Sequence, residues 1–189
     1  MKIERRYRIF EVAGGVLGSL RPALAHIAIQ RHPKYGPVAI ASNGDALAVV
    51  PVALDNDEEP SLIPATLLKR AFSLPKKKGS VVVTITWKDG HVTFSHDNET
   101  HDYASVEFTF PDYNRVIPAR CSDWHHATMI AFNPLLMSKV CSAIGTPDMA
   151  KITRGRDALS PLLIEGNEQD WDGPPIPPFG VLMPMMIPR

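Results

Sequence analysis

Two short segments constrain this chain more than any other feature: Phe110-Pro111-Asp112-Tyr113-Asn114-Arg115-Val116-Ile117-Pro118 and Val181-Leu182-Met183-Pro184-Met185-Met186-Ile187. Both are apolar, punctuated by proline and rich in large side chains, and neither carries a catalytic group. Proline lacks a backbone N–H and holds φ fixed, so such segments do not sit inside a long helix. Their composition suits the wall of a groove better than a pocket that does chemistry. The question they raise is which partner is bound, not which reaction is run.

The rest of the composition narrows the classes. The chain has 189 residues, 44% of them hydrophobic and 21% charged, which is enough for a real core in one or two domains. Lysine plus arginine equals aspartate plus glutamate at 20 each, so the formal charge is zero. Any contact with DNA therefore has to come from a local patch. Cys121 and Cys141 form no disulfide framework and are expected to be reduced in a cytoplasm. The opening Met1-Lys2-Ile3-Glu4-Arg5-Arg6 leads into no apolar signal core, and no apolar run reaches membrane length, so no membrane partner is expected.

Alternating apolar residues predict strands over residues 8–12, 24–30, 38–42 and 46–54, with Asn43-Gly44 as a tight turn. Gly14, Gly15 and Gly18 argue against a helix between the first two, since glycine costs a helix about 1 kcal/mol relative to alanine. Residues 61–72 read as a short helix with Pro64 in its first turn. Leu67, Leu68, Ala71 and Phe72 form its apolar face, and Lys69 and Arg70 lie near its C-terminal end. A meander follows at 80–87, 91–95 and 103–110, turning at Lys88-Asp89-Gly90. Residues 119–128 read as a linker, and Asn133-Pro134 opens a second helix that stops at Gly145. Strands are expected at 150–153, 159–165 and 181–187, the last two joined by a proline-rich loop. The class is α+β: antiparallel β-sheets with two helices packed on one face.

With that organisation, the motifs resemble the bacterial sliding clamp, the beta subunit of the replicative DNA polymerase. Residues 110–118 match the family's Phe-Pro-Asp-Tyr-x-x-Val-x-Pro segment, and Leu182-Met183-Pro184-Met185 matches its terminal Val-Met-Pro-Met strand. Arg21-Pro22-Ala23-Leu24, the turn at residues 41–48 and the strand at 159–164 give further support. The resemblance implies a DNA-clamp-like fold. Residues 1–118 would correspond to the second clamp domain without its first helix, and residues 119–189 to the last half of the third. A protomer of the family has three domains, so a ring of this chain would need about four copies. The turn's histidine and arginine in the family are Asp45 and Ala46 here. Such turns lie near DNA in the family, so this change weakens the case for DNA contact.

In the family a hydrophobic cleft accepts short linear motifs of polymerases and other proteins. The residues implied to line it are Leu24, Ser42, Gly44, Leu47, Pro118, Val181, Met183, Pro184 and Met185. Taken alone, Leu24, Leu47, Met183 and Met185 would read as core. Lys69, Arg70, Lys76, Lys77 and Lys78 are the candidate DNA contacts, with a solvated basic loop as the plainer alternative. The expected function is a processivity-type replication accessory that binds polymerase peptides, with duplex DNA and a homo-oligomer as further partners. A clamp-like module or decoy that does not encircle DNA is the alternative. Neither catalysis nor a cofactor is expected, because the sequence has no Gly-rich phosphate loop, Gly-x-Ser-x-Gly elbow or His-Glu-x-x-His. Asp123-Trp124-His125-His126, with His96 and His101, has no standard metal-ligand spacing, and adjacent histidines in an extended segment point apart.

Overall fold

The computed structural model of the protein describes residues 1–14, 21–55, 61–73, 82–88, 91–96, 99–104, 109–117, 131–146, 150–154, 160–166 and 178–185. In chain order the strands are β1 (Lys2–Glu4), β2 (His26–His32), β3 (Gly36–Ser42), β4 (Ala46–Pro51), β5 (Ser61–Pro64), β6 (Val82–Lys88), β7 (His91–His96), β8 (Glu99–Ala104), β9 (Ala150–Arg154), β10 (Leu162–Gly166) and β11 (Phe179–Leu182). The helices are α1 (Ala65–Ser73) and α2 (Pro134–Ala143).

Seven strands form one antiparallel sheet in the order β5-β2-β3-β4-β11-β10-β9. Four others form a second sheet, β1-β6-β7-β8. The larger sheet joins chain segments far apart in sequence, because β11 pairs directly with β4 and sets Val181 opposite Leu47.

Period-two alternation divides the large sheet into two apolar faces. Ile27, Ile29, Ala39, Ala41, Ala46, Ala48, Val50, Ile164 and Leu182 point to one face. There they meet Leu68 and Ala71 of α1 and Val140 and Ala143 of α2. Both helices therefore lie on the same side, as the sequence predicts. Small residues let them come close: a Cβ added at Gly180 would run into Val140 of α2. Leu24, Ala28, Val38, Ile40, Leu47, Val49, Leu163, Phe179 and Val181 form the opposite cluster, together with Phe110 and Tyr113.

The helix ends follow the sequence signals. Asn133 caps α2 with its side-chain oxygen, which accepts from the N–H groups of Leu135 and Leu136. Gly145 follows with φ +77°, and the chain leaves the helix there. Several expected boundaries move. Residues 8–12 are not a strand: Ile9–Glu11 is a single 3-10 turn, while the strand lies earlier, at Lys2–Glu4, and pairs with β6. Pro22–Ala25 is a 3-10 turn, so the next strand starts at His26 rather than Leu24. Residues 61–64 are not helical but an edge strand, Ile63 facing Ile27, and only Ala65–Ser73 is helix. An edge position tolerates Pro64, which has no N–H to offer a further neighbour. The third strand of the meander lies at Glu99–Ala104, earlier than expected. The last strand ends at Leu182, short of the predicted 187. The turn residues 89–90 and the linker 119–128 lie outside the described residues.

Candidate functional site

The Asn43-Gly44 hairpin is held by its own short side chains. Asn43 Oδ1 accepts from the N–H groups of Asp45 and Ala46, at 2.9 and 2.7 Å. Ser42 Oγ donates to the Ala46 carbonyl at 2.9 Å and accepts from Gly44 N–H at 3.1 Å. Gly44 has φ +96°, a conformation that side chains other than glycine rarely adopt. The chain beyond β11 is tied to this hairpin, because Met183 N–H donates to the Asp45 carbonyl at 2.9 Å.

These ties align one cross-strand row on the face away from the helices. Ser42 opposes Leu47, Leu47 opposes Val181, and Val181 opposes Leu163. Directly opposite side chains of this kind lie about 5 Å apart and act as one surface. The segment at residues 110–117 folds over part of that row. Asp112 Oδ1 accepts from Asn114 N–H and starts a 3-10 turn, Tyr113–Val116. Phe110 and Tyr113 pack into the sheet, at 8% and 6% exposure, while Val116 stays 41% exposed.

A groove of 320 Å³ remains between the hairpin, the end of β11 and this covering segment. Its floor is apolar and buried: Leu24, Leu47, Phe110, Tyr113 and Val181. Val116 and Met183 stand exposed at its rim, with Arg21, Asp45 and Asp112 beside them. That volume is at the lower end for a ligand pocket, enough for one or two large side chains.

The covering segment is anchored by His32. Its Nδ1 accepts from the N–H groups of Lys34 and Tyr35, at 3.0 and 3.1 Å. Nε2 therefore carries the proton and donates to Asn114 Oδ1 at 2.9 Å. The ring also stacks on Tyr35, with centroids 4.2 Å apart, and Tyr35 meets Phe179 edge-on. Burial, followed by the neighbouring Tyr35 and Asp112, pushes the Tyr113 hydroxyl up to about 12. Tyr113 is thus neutral over the ordinary pH range and serves the groove as an apolar wall.

Of the residues the sequence singled out, Leu24, Ser42, Gly44, Leu47, Val181 and Met183 line this one groove. Pro118 lies outside the described residues. Pro184 and Met185 are not among the described lining residues. Pro184 has no N–H to extend the ladder, and Met185 leaves the sheet to donate its N–H to the Ala131 carbonyl at 2.8 Å. The structure adds Arg21, Asp45, Ala46, Phe110, Pro111, Asp112, Tyr113 and Val116. The last five belong to the 110–118 motif, of which the sequence singles out only Pro118 for the groove. Lys69 and Arg70 are exposed on α1, across the sheet from the groove. Lys69 borders a separate hollow with Arg5, Arg8 and Phe72. Lys76, Lys77 and Lys78 lie outside the described residues. Among the described residues no cluster of His, Cys, Asp and Glu is placed to hold a metal, and no helix is long and apolar enough to cross a membrane.

The fold has counterparts among solved structures. A Borrelia burgdorferi DNA polymerase III subunit beta, solved with a natural product, matches with a TM-score of 0.71 at 13% identity, over 100% of this chain and 64% of that one. A Caulobacter crescentus beta sliding clamp matches at 0.69 and 15%, over 99% and 65%. That clamp carries polyethylene glycol at its proposed beta-motif tethering region. A Thermotoga maritima subunit beta matches at 0.69 and 16%, over 100% and 65%. The fold is that of a sliding clamp. The clamp fold here spans just under two thirds of the length of those proteins. No protein-family model matches the chain, and no curated protein matches it significantly.

Proposed function

We propose that this clamp-fold protein is a DNA replication accessory whose groove receives short apolar motifs from polymerases and other replication proteins. One observation carries the reading. Residues from four separate stretches of chain, around Leu24, Leu47, Tyr113 and Val181, meet in one open apolar trough on a rigid sheet. A leucine or phenylalanine anchor seated there gains about 1.5–3 kcal/mol from burial. The exposed Met183 gives the rim an adaptable contact. Two such anchors, less the cost of association, correspond to micromolar affinity. The chemistry is binding rather than catalysis, and it needs no cofactor.

The test is a fluorescence titration with a short peptide carrying adjacent leucine and phenylalanine. Saturable micromolar binding, weakened at least fivefold by Met183→Ala and by a correctly folded Leu47→Ala, is the expected result. Affinity unchanged in both variants removes the groove from the account.

A second reading is favoured by Asp45 and Ala46 at the hairpin, where clamps carry histidine and arginine. In that reading the protein presents the groove without encircling DNA and acts as a regulator or decoy of a replisome. Mass by light scattering, with and without duplex DNA, separates the two. A closed oligomer retained on DNA supports the encircling accessory, and a monomer indifferent to DNA supports the module.

A further inference from the structure

The charges around the groove say more about its occupant than its apolar floor does. Among the described lining residues the charged ones are Arg21, Asp45 and Asp112. The two carboxylates come from opposite walls: Asp45 from the hairpin, Asp112 from the covering segment. Both are exposed. Among the described residues neither carboxylate is within ion-pair distance of a cation. Each backbone is nevertheless fixed. Asp45 donates its N–H to Asn43 Oδ1 and accepts from Met183 N–H, and the Asp112 side chain accepts from Asn114 N–H. Arg21 lines the same groove beside the hairpin, its Nη1 3.2 Å from where a Cβ on Gly44 would be.

We infer that the groove selects an extended peptide whose apolar anchors are flanked by a lysine or arginine, that cation lying between Asp45 and Asp112. This rests on the peptide-binding reading above and names the chemistry of its ligand. The argument is charge complementarity. Two carboxylates at the edge of an apolar trough, Asp45 on a fixed backbone and Asp112 bonded to Asn114 N–H, attract a cation and repel an acidic residue. A lysine suits the place, since its methylene stem covers apolar wall while its ammonium stays at the wet rim. The sequence feature responsible is Asp45, at the position where the resembling family carries histidine.

The experiment uses two peptides with the same leucine and phenylalanine anchors, one flanked by lysine and one by glutamate. Both are titrated against the full chain and against an Asp45→Asn/Asp112→Asn variant. Asparagine keeps the side-chain oxygen that accepts from Asn114 N–H, so the turn at residues 113–116 is retained. The lysine peptide is expected to bind about three- to tenfold tighter than the glutamate peptide, as for one or two partly exposed charge pairs. That advantage should shrink as salt rises and disappear in the variant. Equal affinities, or a preference for glutamate through Arg21, overturn this inference while leaving the groove intact. Absence of binding by either peptide overturns the peptide-binding reading itself.

Discussion

The two faces of the seven-stranded sheet are built from alternate residues of the same strands, yet one is closed and the other is open. On the closed face β3 and β4 present small residues, Ala39, Ala41, Ala46 and Ala48, and two helices settle onto them. On the open face the same strands present Val38, Ile40, Leu47 and Val49, and among the described residues no α-helix covers them. Instead the turn at residues 113–116 lies across part of the row and leaves the rest as a groove. The open face is not a failure of packing. Its apolar residues are as large as a core requires, and its covering segment is fixed by specific bonds. In the proposed reading, a peptide supplies one more apolar partner there.

The largest expected effect sharpens this contrast through stability. Ile164 is fully buried on the closed face, and Ile164→Ala should cost about 2–5 kcal/mol in urea unfolding. Met183 is 39% exposed at the open rim, and Met183→Ala should change stability by no more than about 0.5 kcal/mol. Comparable losses for the two would mean that the open face is ordinary core. A smaller effect concerns the cover. His32→Ala removes the bond to Asn114 and the stack on Tyr35, and should cost about 1 kcal/mol. Peptide affinity should fall a few-fold with it, because Tyr113 and Val116 lose their anchor. A stability loss with no change in affinity would detach the cover from the site.

Much of this could be read from the chain alone. The Asn43-Gly44 turn, the Asn133 cap and the Gly145 stop are local signals, and each stands where the residues place it. The strand starts near Ile9 and Leu24 were misjudged because apolar alternation over four or five residues does not distinguish a strand from a 3-10 turn. Ser61–Pro64 looked helical because proline suits a helix start, and only its pairing with β2 makes it a strand. The end of the last strand was overrun for a similar reason: the loss of an N–H at Pro184 matters only once a neighbouring strand is known to need it. In the groove, Leu24, Leu47 and Val181 are singled out only by a family resemblance, since periodicity assigns Leu47 and Val181 to core, and Phe110 and Tyr113 are singled out by neither. Arg21, Asp45 and Asp112 could not be placed, because charges at a rim carry no pattern in sequence.

The smallest effect is a titration. Tyr7 on the closed face and Tyr113 on the open face both have hydroxyls pushed up to about 12, chiefly by burial. Because the folded value is raised above the ordinary 10, the stability linked to each is complete below pH 10 and is lost as pH rises toward about 12. Tyr7→Phe and Tyr113→Phe should each flatten part of that alkaline decline, as followed by urea unfolding. Tyrosinate absorbance should show that bound peptide delays ionisation of Tyr113 and leaves Tyr7 unchanged. Equal delay at both would erase the distinction between the faces.

The most direct test of the open face is a methyl-labelled NMR titration of the full chain with the leucine-phenylalanine peptide. The account predicts shifts confined to Leu24, Leu47, Val116, Val181 and Met183, with Val140, Ile164 and Leu182 unmoved. Shifts centred on the helix-covered residues, or none at saturating peptide, would contradict it.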